Sequence, residues 1–281
     1  MDTLVQDIRY ALRRLRQSPG FAAVAILTLA LGIGANSAIF SVVNGVLLRS
    51  LPFPEAERLV LVTHRTNTGD LAPMSPANFR DARAQVGPLE ELSFWAYTSR
   101  TLTGVGEPVR LDGAGVGAHF FEVLRARPLL GRTFRPDENQ PGRNRVAVLG
   151  HGFWRQRFGA DPKVVGRTVT LDGEPYEVVG VMPEGFGFPN DRDLWVPQEY
   201  ESFFASEESR GSWFITGIGR LEPGVPQERA AREVAALGAR LSREYPESNA
   251  NVGLASQSLY EQMVGDVRTS LLVLLGAVGL V

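Results

Sequence analysis

The chain has 281 residues, with 31 acidic and 29 basic side chains and a pI near 6.0. That balance excludes the concentrated basic face that a nucleic-acid binder needs, so no nucleic acid is expected as a partner. With no cysteine, disulfides, thiolate zinc sites, iron–sulfur clusters and cysteine nucleophiles are excluded together.

The opening MDTLVQDIRYALRRLRQ places Leu4, Ile8, Ala11, Leu12 and Leu15 on one helical face, with Arg9, Arg13, Arg14 and Arg16 elsewhere on the wheel. A basic amphipathic helix of this kind suits an anionic cytoplasmic leaflet. Ser18-Pro19-Gly20 breaks it, and no charge follows between Arg16 and Arg49. A helix over Phe21–Leu48 would be about 42 Å long against a hydrocarbon core of about 30 Å, which predicts a membrane span. Ala30, Gly34, Ser37, Ser41 and Gly45 recur on one side of it, and Asn36 and Asn44 call for amide partners on neighbouring helices. The arginine excess before the run predicts a cytoplasmic N-terminus and places everything from Arg49 onward outside the cytoplasm.

After the span the pattern alternates. Strands are predicted over 59–63, 92–103, 109–116, 146–149 and 214–221. Helices are predicted over 76–85 (with Ser75 as N-cap), 119–124, through Phe153, Trp154 and Phe158, and over 227–245 ending at Pro246. Asp172-Gly173 signals a hairpin between Val169/Leu171 and Tyr176/Val178. Pro- and Gly-rich stretches at 183–189 and 222–226 read as subdomain junctions. This mixture predicts an α+β domain of sheets covered by helices. Thr269–Val281 is again uncharged and reads as the start of a second membrane helix, cut short.

Catalytic patterns do not emerge. The three histidines, His64, His119 and His151, show no paired metal spacing, and His119 with Glu122 reads as a surface pair. Gly113, Gly115 and Gly117 form an alternating row without the strand-to-helix context of a dinucleotide loop. The sole lysine, Lys163, follows Asp161-Pro162, so there is no P-loop. Trp95, Trp154, Trp195 and Trp213 read as core before they read as a ligand groove. No catalytic, cofactor-binding or metal residue is assigned, and the chain is not expected to be an enzyme.

The runs LTLALGIGANSAIFSVVNGVLLRSLPF, SPANFRDARAQ, GRTFRPDE, VAVLGHGFWRQRFGADPKVVGRTVTLDGEPYEVVGVMPEGFGFP and DLWVP together resemble the MacB/FtsX-type ABC transporter permeases, particularly the large duplicated permeases of Acidobacteria. The resemblance implies a cytoplasmic helix at 1–20, a membrane helix at 21–48, a periplasmic core domain at 49–267 and a second membrane helix starting at 268–281. Within the core it implies a porter-like α/β part (about 50–115 and 212–265) with an inserted mixed α/β subdomain (about 116–211). It further implies a bacterial inner-membrane location and no cofactor. The implied partners are a separate ATP-binding subunit, a second permease unit or homodimer, the lipid bilayer and a periplasmic adaptor protein. The implied role is permease subunit of an export or mechanotransmission complex. The alternative is a membrane-tethered binding or adaptor module without transport.

Overall fold

A computed structural model of the chain describes residues 10, 13, 17–43, 51–198, 206–265, 273, 274 and 276. It divides into two units, Met1–Ser50 with Met263–Val281 and Leu51–Gln262, each described by itself. In the first, α1 (Pro19–Val43) is a 25-residue helix without a charged side chain. Pro19 opens this helix, where its missing N–H would be unpaired in any case. Thr28 Oγ1 donates back to Val24 O at 2.9 Å, which satisfies the hydroxyl without solvent. Among the described residues no helix is long and apolar enough to cross a membrane. The membrane span expected over Phe21–Leu48 is therefore not seen among the described residues, and several side chains of Pro19–Val43 fall outside them. The amphipathic helix of residues 2–17, Asn44 and the 269–281 run also lie outside them, apart from isolated positions.

The second unit carries, in chain order, β1 (Leu59–Thr66), β2 (Leu71–Ala72), α2 (Pro76–Gln85), β3 (Leu89–Thr103), β4 (Val109–Val116) and α3 (Phe120–Val123). It continues with β5 (Leu130–Gly131), β6 (Val146–Leu149), α4 (His151–Phe158), β7 (Thr168–Leu171), β8 (Glu174–Val181) and β9 (Leu194–Pro197). It closes with β10 (Thr216–Leu221), α5 (Gln227–Glu244), α6 (Pro246–Asn249) and β11 (Val252–Ser258). Ser75 caps α2 as its sequence implies: the hydroxyl accepts from Asn78 N at 3.2 Å, and Pro76 stands in the first turn. Asp172 and Gly173, at φ 50 and 83, make the tight turn that pairs Leu171 with Glu174 and Val169 with Tyr176.

The strands form one mixed sheet in the order β11-β1-β10-β3-β4-β9-β6-β8-β5, with β2 beside β1 and β7 bridging β3 and β8. Strands from 50–115 and 212–265 therefore fill one end and those from 116–211 the other. The seam is parallel, running from Gly113 opposite Leu194 to Val116 opposite Pro197.

Alternation within β1 sends Leu59 and Leu61 to one face, where they meet Trp95, Ile218, Phe120 and Phe121. It sends Val62 to the other, against Phe79 of α2 and Val234, Leu237 and Leu241 of α5. Burying each of those three α5 side chains contributes roughly 1.5–3 kcal/mol, which is what holds the helix down. Gly238 lies on the same face, and a Cβ there would stand 3.1 Å from Gly253 C and Leu254 Cα of β11. A third cluster, including Leu111, Leu149, Trp154, Val178 and Leu194, fills the far end. Pro183–Pro189 lies between β8 and β9 inside this end, and residues 222–226 turn β10 into α5.

Candidate functional site

Three constellations stand out in the second unit, and none has the form of a catalytic centre. The first is a buried polar node. Val60, Val62 and His64 share one face of β1, so His64 is carried into the core at full burial. Asn78 Nδ2 donates to His64 Nε2 at 2.7 Å, which leaves the proton on Nδ1, where no partner is found. Burial pushes the His64 pKa down to about 4, so the ring is neutral at ordinary pH. Asn78 also exchanges hydrogen bonds with Asn249 (3.2 and 3.1 Å) and accepts from Arg210 Nη1 at 2.6 Å. Arg210 further pairs with Asp81 at 2.7 Å and with Glu207, and its guanidinium lies 3.7 Å over the Tyr245 ring. Burial opposes its charge, but the hydrogen bonds to Asp81 and Glu207 more than restore it, so its pKa is raised. This is a polar staple joining α2, α6 and the 3-10 turn Glu207–Gly211. Among the described residues, no carboxylate or hydroxyl nucleophile is hydrogen-bonded to His64.

The second constellation anchors residues 51–58. Phe53 is buried edge-on against Phe186 and Phe188, at 6.2 and 5.7 Å between centroids. Glu55, at φ 50, pairs with Arg58 and Arg125, while Arg58 also pairs with Glu90 and donates to Leu221 O from Nε at 2.9 Å. Arg220 is buried in β10, donating to Val123 O at 2.8 Å and Glu55 O at 3.1 Å, with Nη2 unpartnered. Burial first, then the Arg125 and Arg58 charges, push the Arg220 pKa down.

The third is an open cleft of about 680 Å³ between the first turns of α4 and the loop Glu184–Asp193. His151, Arg155 and Gln156 line one wall, and Glu184, Phe186 and Asp191 line the other.

His119 and Glu122 form a surface pair at 2.6 Å. Among the described residues no group of three or more metal-capable side chains occurs. Trp95, Trp154 and Trp195 are core, whereas Trp213 is 38% exposed and meets His64 edge-to-face at 4.7 Å. Of the glycine row, Gly113 and Gly115 lie in β4 and Gly117 just past its end; a Cβ at Gly113 would crowd Leu194, and one at Gly117 would stand 2.7 Å from Ser93 Oγ. Lys163 sits in the 3-10 turn Pro162–Val164, its amide bonded to the Asp161 side chain at 2.9 Å. Sequence reasoning missed Phe53, His64 and Arg210. The one available signal was His64 continuing the alternation of Val60 and Val62.

Residues 22–237 match the family described as MacB-like periplasmic core domain. The macrolide export ATP-binding/permease protein MacB of Burkholderia thailandensis is 34% identical over 87 residues, 30% of this chain and 13% of that protein. Its counterpart from Burkholderia lata is 31% identical over 147 residues, 50% of this chain. The chain thus spans no more than about a fifth of the length of those relatives (20% of the latter). Among solved structures, the periplasmic region of MacB from Actinobacillus actinomycetemcomitans shares the fold with a TM-score of 0.56 at 14% identity, covering 82% of this chain and 98% of that one. The extracellular domain of the ABC-type transporter YknZ from Gram-positive bacteria gives 0.51 at 16% identity, covering 71% and 99%. With more than half of its length matched, the chain belongs to the family of MacB-like periplasmic core domain proteins.

Proposed function

We propose that the chain is part of a permease subunit of an ABC-type transporter in a bacterial inner membrane. Met1–Gln17 lies in the cytoplasm, Phe21–Leu48 crosses the bilayer, and Arg49–Arg268 lies in the periplasm. ATP is hydrolysed by a separate subunit, and movement of the membrane helices is passed to the periplasmic domain, in export. A second permease unit completes the assembly, and the chain itself is not an enzyme. The observation that carries this reading is the reach of the family match. It begins at residue 22, inside the uncharged helix α1, and runs to residue 237. Helix and domain are therefore one inherited unit, which supports a domain tied to a membrane helix. The polar chemistry agrees: Arg58, Arg125 and Arg210 are paired with Glu55, Glu90, Asp81 and Glu207, as in a part that is held and moved.

The test combines topology with energy supply. In spheroplasts, external protease is expected to cut between residues 58 and 268 and to leave Met1–Gln17 intact. The purified chain is expected neither to bind nor to hydrolyse ATP. The full-length gene product, reconstituted with the P-loop subunit encoded beside it, is expected to raise that subunit's turnover. Protection of 58–268 sinks the orientation. Unchanged turnover in an intact complex sinks the permease reading in favour of a tethered binding module.

A further inference from the structure

We propose that the cleft between α4 and the loop Glu184–Asp193 is a docking site for an extended polypeptide segment of alternating basic and acidic side chains, and that Phe53 sets the position of its loop wall. The inference stands apart from the transport reading, since it concerns only what the second unit binds.

The volume of about 680 Å³ lies within the range of pockets that hold ligands, about 300–1,000 Å³. Its lining favours a peptide main chain. Gly150, Gly152, Gly185 and Gly187 all border it, and nothing stands within 4 Å of where a Cβ of Gly152 or Gly185 would be. Those two open positions, one on each wall, let a ligand main chain approach closely, whereas Gly150 and Gly187 are already hydrogen-bonded within the fold. Charge then narrows the choice. Arg155 projects from the helix wall, and Glu184 and Asp191 from the loop wall; Arg192 and Asp193 also border the cleft but are engaged elsewhere, Arg192 over the Tyr97 ring and Asp193 accepting from Asp112 N. Arg155, Glu184 and Asp191 are exposed, and none has an ion-pair partner among the described residues. A simple anion is repelled by one wall and a simple cation by the other, whereas a polypeptide carrying both signs satisfies the two together.

The loop wall is held in an unusual shape. Asn190 and Asp191 are consecutive non-glycine residues at φ 57 and 46. Residues in that region persist only where their surroundings impose it, and they gather at binding sites. Here Arg192 Nε donates to Pro189 O at 2.7 Å, Arg192 N to Gly187 O at 3.2 Å, and Trp195 Nε1 to Phe188 O at 2.9 Å. The remaining support comes from beneath. Phe186 faces the cleft yet meets Trp195 at a tilt (5.3 Å) and Phe53 edge-on, and Phe188 meets Trp95 (5.0 Å) and Phe53. Phe53 is not part of the lining, so it is a positioning residue: its ring fills the space under the wall.

The probe is an end-blocked, fluorescein-labelled hexapeptide of alternating lysine and glutamate, with all-lysine and all-glutamate hexapeptides as comparators. Anisotropy is measured on the whole chain in detergent. The alternating peptide is expected to bind more tightly than either comparator. The single changes Glu184→Gln, Asp191→Asn and Arg155→Gln are expected to weaken it about tenfold each, the loss of one charge pair. These side chains are exposed and unpaired, so the thermal midpoint should hold. Phe53→Ala is expected to weaken binding about fivefold, and Phe53→Leu, which keeps most of the apolar volume, to restore it to within about twofold. No binding at millimolar peptide, equal binding of the all-lysine peptide, or affinity indifferent to Glu184, Asp191 and Arg155 overturns the site. Affinity unchanged in Phe53→Ala overturns the positioning role.

Discussion

Replacing Gly238 by alanine sets two physical effects against each other. In a helix interior alanine is favoured over glycine by about 1 kcal/mol, so a residue with free space around it would gain stability. Gly238 has no free space. A Cβ there would lie 3.1 Å from Gly253 C and Leu254 Cα and closer still to Leu254 N, all β11 main chain. Non-bonded heavy atoms rest at about 3.5–4.0 Å, so α5 must lift by about an ångström to clear the Leu254 amide. That lift loosens Val234, Leu237 and Leu241, which share one cluster with Leu254. With main chain in the way, the cost falls at the upper end of the range usual for overpacking, about 2–3 kcal/mol, and outweighs the propensity gain. A net loss near ~1–2 kcal/mol lowers the midpoint of a domain of this size by about 2–8 °C. The assay is far-UV circular dichroism of the chain on heating, beside Ala239→Gly. That neighbour is exposed, so its loss of about 1 kcal/mol measures propensity alone in the same helix. A rise in midpoint for Gly238→Ala would show that the helix does not rest on the β11 backbone.

Arg210→Ala leaves Asp81 and Asn78 without their shared donor and is expected to destabilise by about 3 kcal/mol; a fall under about 1 kcal/mol in urea unfolding would contradict the staple. His64 has a folded pKa of about 4 against about 6.5 unfolded, so the unfolded chain binds more protons between those values. Stability is therefore fully present above about pH 6.5 and falls by a few kcal/mol as pH drops toward 4. His64→Asn is expected to flatten that window, and an unchanged slope would contradict a buried neutral ring. Gly173→Ala, at φ 83 with open space around the new methyl, is expected to cost only about 1 kcal/mol; a larger loss would mean that the turn is packed rather than merely bent.

Local punctuation in the sequence was enough to place many elements. Ser75-Pro76, Asp172-Gly173, the Val146–Leu149 run and the 3.6-residue pattern of α5 lie where their chemistry puts them. β11 was missed because VGLASQS is short, small and half polar, and its burial is imposed by α5 lying across it. The strand expected from 214 begins at Thr216 instead, since Phe214 and Ile215 donate to Met74 O. Strand order was beyond reach: nothing local in LWVP announces a parallel partner eighty residues earlier. The constellations suffered the same limit. Arg210 reads as one arginine among many until folding brings Asn78, Asp81 and Tyr245 around it.

The glycine row of β4 has a mechanical meaning at the seam of the sheet. Side chains on a sheet face act as struts, and a strand stiffens its neighbours because adjacent struts cannot interpenetrate. Gly113 and Gly115 remove two successive struts from one face of the strand that adjoins β9, and Gly117 follows just past its end. Leu194 and Gln198 lean into the space of the first two, and Ser93 and Phe94 into that of the third. The sheet thus carries a crease, where bending meets flexible side chains rather than interlocked branches. If the two ends of the sheet move relative to one another, this line yields first, and β-branched residues at Gly113 or Gly115 would splint it.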